Sequence, residues 1–115
     1  MRIESKSILK DAFELDGKTI PFTVHLAKVA KEVHAKRAEL QSVNEGDVES
    51  VGRIIVELYT LIFGADVVAE LLDYYADDAY GLMADTMPVL TELVFPAFEQ
   101  LNKDTLSKKM RIKHG

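Results

Sequence analysis

The residues best suited to chemistry in this chain are carboxylates. Glu70, Asp73 and Asp77 recur at spacings of three and four, so they share one helical face, and Asp78 adjoins them. Carboxylates gathered in this way can hold a divalent cation or exchange protons with a substrate. The run has neither the spacing of an EF-hand loop nor a Glu-x-x-His pair of the di-iron bundles, so a solvated acidic face is the expectation. His25, His34 and His114 are too scattered to supply the three or four converging ligands that zinc needs. The chain has no cysteine, which removes disulfides, thiolate nucleophiles and cysteine-ligated zinc. It carries no G-x-S-x-G, Walker or G-x-G-x-x-G motif. No catalytic residue, metal or cofactor is expected, and the chain reads as non-enzymatic. The rival enzyme reading is a metal site on Glu70, Asp73 and Asp77.

Beside the acidic run stand Tyr74, Tyr75 and Tyr80. Tyrosine set among charge suits a protein contact better than a pocket, and Tyr74, Tyr75 and Asp78 are candidate interface residues. The rest of the candidate interface comes from the stretch 47–80. Asp47 is placed to cap a helix and Glu49 to favour its first turn. Val48, Val51, Ile55, Leu58 and Ile62 form one apolar stripe, and Ile54 and Leu61 widen it. Val56, Tyr59 and Phe63 add apolar groups on the remaining side. A helix apolar all round is buried either in a core or by a partner, so these three are expected to meet another chain. Gly64 suits a helix end, Asp66 the cap of the next, and Val67, Val68, Leu71, Leu72 and Tyr75 its buried face.

These elements belong to one domain over residues 1–103, followed by a basic, flexible tail over 104–115. The length of 115 residues, 48% hydrophobic and 29% charged, is that of a soluble globular domain. No apolar run is long enough to span a membrane and no secretory leader is visible, so a cytoplasmic location is expected. Charge is segregated. Residues 1–38 carry 8 basic and 5 acidic side chains, residues 39–99 carry 1 and 13, and residues 100–115 carry 5 and 1. The acidic middle repels phosphate, which argues against nucleic-acid binding by the main body. It would attract a basic partner or the basic run Lys108, Lys109, Arg111 and Lys113.

The fold expected is mostly α, an α+β arrangement with an N-terminal β-hairpin packed on about four helices. The hairpin should span about 12–24 and turn at Asp16-Gly17, both with positive φ. Phe13, Leu15, Ile20, Phe22 and Val24 should face inward, with Pro21 at an edge or a bulge. A helix should start within 23–26 and run to about Gln41 on Leu26, Val29, Val33 and Leu40, with Glu32 and Lys36 in the favourable i,i+4 order. Pro88 fits the first turn of a last helix capped by Asp85 or Thr86, and Pro96 should kink a helix that reaches about Lys103.

In this layout the hairpin ELDGKTIPFTVHL leads into the helix LAKVAKEVHAKRAEL, and a later helix ends in LIFG before VVAELL. It resembles the small tail-assembly-chaperone-type proteins of tailed bacteriophages and prophages, over about Phe13 to Leu101. The resemblance implies a cytoplasmic, non-enzymatic virion-morphogenesis protein in a bacterial host. It would self-associate as a homo-oligomer and bind a tape-measure or tail-tube protein, using exposed apolar surface and the hairpin edge. The competing reading is a small helical regulatory or antitoxin-like protein-binding module.

Overall fold

A computed structural model describes residues 7–103. The fold is mostly α, an α+β arrangement of an antiparallel hairpin and four helices. Strands β1 (Ile8–Leu15) and β2 (Lys18–His25) lead directly into α1 (Leu26–Ser42). Then follow α2 (Val48–Phe63), α3 (Ala65–Tyr74) and α4 (Ala79–Val89). A wide π-helical turn (Leu90–Val94) carries α4 on into helix over residues 95–103. The expected basic tail over 104–115 lies outside the described residues.

The hairpin alternates as a half-buried ribbon should, with Phe13, Ile20, Phe22 and Val24 buried and Leu15 half-buried. Its register runs unbroken from Ile8 opposite His25 to Leu15 opposite Lys18. Leu26 N–H donates to the Ser7 carbonyl at 2.8 Å, which sets the phase of the ladder. In that phase Ala12 and Pro21 face each other as a non-hydrogen-bonded pair, so the missing proline N–H costs no ladder bond. Pro21 therefore sits at an edge without a bulge. The turn falls at Asp16-Gly17, but only Gly17 has a positive φ, 76°. It is not the type I′ turn expected, because that type needs a positive φ at both positions.

The core joins the hairpin to all four helices. Phe13, Phe22 and Phe63 form a triangle of rings with centroids 4.8–5.0 Å apart, and Tyr59 extends it at 5.7 Å from Phe63. These rings bind the ribbon to the end of α2, which a lone hairpin requires for stability. Deeper in, Tyr59 is wholly buried and its hydroxyl lies 2.6 Å from that of Thr86. The single Thr86 proton goes to the Leu82 carbonyl at 2.6 Å, so Tyr59 is the donor and Thr86 the acceptor.

Three helix boundaries differ from the sequence expectations. Gly64, with φ 93°, is both the end of α2 and the N-cap of α3, so Asp66 lies in the first turn without capping. Helix α3 stops at Tyr74, because Ala76 and Asp77 turn left-handed with φ 50° and 64°. Helix α4 then starts at Ala79, well before Asp85, under an N-cap from Asp78. Its carboxylate accepts from Gly81 N–H at 3.0 Å, and a Cβ on residue 81 would meet Asp78 Oδ2 at 2.5 Å. Pro88 is consequently inside α4 rather than in its first turn. Pro96 follows the π turn, in which Phe95 N–H reaches five residues back to the Leu90 carbonyl. A widened turn relieves the clash between the Pro96 ring and the carbonyl of Glu92, so the rod continues instead of breaking.

Candidate interaction surface

Helices α1 and α2 lie against each other and leave a groove of about 550 Å³ along their exposed seam. Its floor is Val56, Leu61, Thr60 and Ala35, and its rim is Glu32, Lys36, Glu39 and Glu57. Thr60 turns its hydroxyl onto the Val56 carbonyl at 2.7 Å, which hides that polar group from the floor. An apolar floor inside a charged rim is the anatomy of a protein-binding patch.

The rim is fixed by ion pairs, two within a helix and two between α1 and α2. Lys36 Nζ reaches Glu57 at 2.5 Å and Glu39 at 2.9 Å. Arg53 reaches Glu57 at 2.7 Å and Glu39 at 3.8 Å. Hydrogen bonds from Lys36 and Arg53 hold the Glu57 carboxyl below its usual range, and those to Glu57 and then Glu39 raise Lys36. Lys36 thus pairs with Glu57 on α2 and Glu39 on α1 rather than with Glu32, the i,i+4 partner its sequence position suggested. Arg53 is exposed and Lys36, Glu39 and Glu57 are half-buried, so solvent still screens the pairs and they orient the rim more than they stabilise the fold.

The residues expected to form the extra apolar face separate here. Val56 is half-buried and lies on the groove floor. Tyr59 and Phe63 are 0% and 4% exposed, within the core. Their assignment to a partner surface is corrected: the hairpin's Phe13 and Phe22 cover Phe63, and Tyr59 is taken up between Phe63 and Thr86 of α4. Glu57 and Leu61 complete the groove and were not expected there. The signal available was the row Arg53, Glu57 and Leu61 at successive turns of α2.

The acidic aromatic patch lies at the α3–α4 turn. Tyr74 is 42% exposed and packs edge-on against Tyr75 with centroids 5.2 Å apart. The Tyr75 hydroxyl donates to Asp85 Oδ2 at 3.0 Å. Desolvation and then this bond to a carboxylate push the Tyr75 phenol up to about 12. Asp78 is occupied as the α4 cap, which gives it a structural task. Tyr80 donates to the Val48 carbonyl at 3.2 Å and so ties the turn to the start of α2.

No family model, curated protein or solved structure matches the chain. Among the described residues, no three of His, Asp or Glu are grouped to hold a metal ion, and Glu70, Asp73 and Asp77 are exposed. No helix among them is long and apolar enough to cross a membrane. The hairpin offers a guarded edge. The outward N–H of Ala12 is taken by its neighbour Asp11 at 2.7 Å, and Pro21 has none to offer. Strand addition at either edge would therefore forgo a bond at the middle of the strand.

Proposed function

We propose that the chain is a non-enzymatic protein-binding module that works as a cytoplasmic tail-assembly chaperone in phage or prophage morphogenesis. It would self-associate and hold a tape-measure or tail-tube protein until polymerisation. The observation that carries the binding part of this reading is the α1–α2 groove, with Val56 and Leu61 open on its floor between ion-paired rims. A helix laid in this groove would bury an apolar stripe and meet charge on both sides, the helix-in-groove mode of recognition. The phage part rests on the hairpin-to-bundle resemblance set out above.

The test is capture of the tagged chain from cells of its own host with any prophage induced, with the partners identified by mass spectrometry. Enrichment of a long helical tape-measure protein or a tube subunit, lost on Val56→Asp, supports the reading. Recovery of neither from induced cells excludes it.

A further inference from the structure

The turn after α3 is a Schellman motif. Asp77 N–H donates to the Leu72 carbonyl at 2.8 Å, and Ala76 N–H donates to the Asp73 carbonyl at 3.3 Å. This motif needs a left-handed residue, ordinarily glycine, at the position that Ala76 holds. Here Ala76 and Asp77 are both left-handed, with φ 50° and 64°. That backbone is unfavourable for a residue with a Cβ, most of all for alanine, which has no polar side chain to bond locally. The turn is therefore strained at two successive positions.

The sequence across the turn favours uninterrupted helix instead. Ala76 and Ala79 are the best helix formers, and residues 65–87 contain no proline and a single glycine, Gly81. Leu71, Tyr75, Ala79, Leu82, Thr86 and Leu90 recur at spacings of three and four, and all are buried or half-buried. A helix running straight through the turn would keep these six on one face. Against this continuation stands the Asp78 carboxylate, which caps α4 by accepting from Gly81 N–H.

We propose that the α3–α4 turn is a hinge through which residues 79–103 exchange between two copies of the chain. In the exchanged dimer α3 and α4 form one unbroken helix, and α4 of each copy packs on α2 of the other. Leu82, Thr86, Leu90 and Val94 regain the same buried surroundings, and the Tyr59–Thr86 hydrogen bond runs between chains. Only the turn differs between the two forms, so its strain, its cap and the protein concentration set the balance. Charge acts on the same balance. Asp77 and Asp78 line a groove of about 540 Å³ with Glu49, and no ion pair among the described residues compensates these three. In the exchanged dimer both hinges span the same gap between the two copies, so their carboxylates repel and salt relieves the repulsion. This exchange supplies a route to the self-association proposed above, but it rests on the turn alone and fails or holds independently of any tail protein.

The test uses the full chain, unfolded and refolded at the millimolar concentrations of a nuclear magnetic resonance sample and then followed by sedimentation. A dimer is expected, and its share should rise with salt. Ala76→Gly relieves the left-handed penalty in the closed form and weakens helix in the exchanged one, at two hinges per dimer. Its dimer dissociation constant should rise by at least about thirtyfold. Asp78→Ala removes the cap and should lower that constant by about thirtyfold. Both substitutions lie on the surface of the turn and leave the core untouched. Exchange is distinguished from side-by-side association by refolding a mixture of labelled and unlabelled chains. Isotope-filtered Overhauser contacts between the Tyr59 ring and the Thr86 methyl should then appear between chains. A chain that stays monomeric in all three forms, a dimer whose Tyr59–Thr86 contact stays within one chain, or a dimer indifferent to Ala76→Gly would each overturn the proposal.

Discussion

At the scale of single residues, the Tyr59–Thr86 pair separates a hydrogen bond from the cost of leaving one unmade. Tyr59 donates and Thr86 also reaches Leu82, so the two truncations are not equivalent. Tyr59→Phe leaves Thr86 satisfied and should cost about 0.5–1.5 kcal/mol in a denaturant titration. Thr86→Val strands a buried phenol proton and should cost more, about 1–3 kcal/mol. The double variant should be more stable than Thr86→Val alone, and a double variant no better than that single one would contradict the assignment. Tyr75 gives a pH prediction. Its pKa is raised in the fold, so its stabilising contribution is full below the ordinary value near 10 and is lost as pH rises through about 12. An ultraviolet titration should show a late phenolate step near pH 12 that disappears in Tyr75→Phe. A curve unchanged by that substitution would contradict it. The Asp47 cap was readable from sequence, because an acid before an apolar helical run has one evident use, and Ser50 N–H donates to it at 3.2 Å. The Asp78 cap was not, because the acidic, tyrosine-rich stretch 73–80 looks like continuing surface until the left-handed turn at Ala76 is known.

At the scale of elements, the helix α2 is the scaffold that the hairpin, α1, α3 and α4 share. Phe63 sits at its end under Phe13 and Phe22, so Phe63→Ala should cost about 3–5 kcal/mol. That is a large part of the roughly 5–15 kcal/mol expected of a whole domain. Amide exchange should show β1 and β2 losing protection before α1 and α2; uniform loss across all elements would show that the rings do not dock the ribbon as a unit. The hairpin, α1 and α2 were legible in the sequence because period-two and helical patterns, an Asp-Gly turn and an isolated glycine mark them, although β1 begins at Ile8, before the expected start near residue 12, because polar Lys10 and Asp11 hide its first residues. The division of 65–103 was less so. Leu82 and Thr86 bury the inner face of α4, yet this helix is apolar on more than one side, so its periodicity does not announce where it begins. Pro88 was read as the start of a helix and lies inside α4, whereas Pro96 was read as a kink within a helix reaching about Lys103, and there a π turn precedes it and the helix continues.

At the scale of the whole molecule, burial of Tyr59 and Phe63 reallocates the apolar surplus of α2. The hairpin and α4 take it up, and what stays open is the strip from Val48 through Val56 to Leu61. This strip faces two grooves of different character. The one shared with α1 has an ion-paired rim in which Lys36 and Arg53 compensate Glu39 and Glu57. The one shared with the α3–α4 turn keeps uncompensated acid. Sequence reasoning located the strip through Val56 but not its boundaries, because which side of an over-apolar helix remains open depends on where a distant ribbon docks. The same uncertainty placed Tyr59 and Phe63 on the surface.

The most direct measurement is the affinity of the full chain for a tape-measure or tail-tube partner, compared between the parent and Val56→Asp and Leu61→Asp. Both positions lie on the groove floor and neither is fully buried, so melting curves should confirm that the fold is retained. A loss of about 2 kcal/mol or more in binding, roughly thirtyfold in affinity, is expected for a residue at the centre of an apolar patch. Variants that remain folded and bind as tightly as the parent would contradict the claim that the α1–α2 groove is where this protein holds its partner.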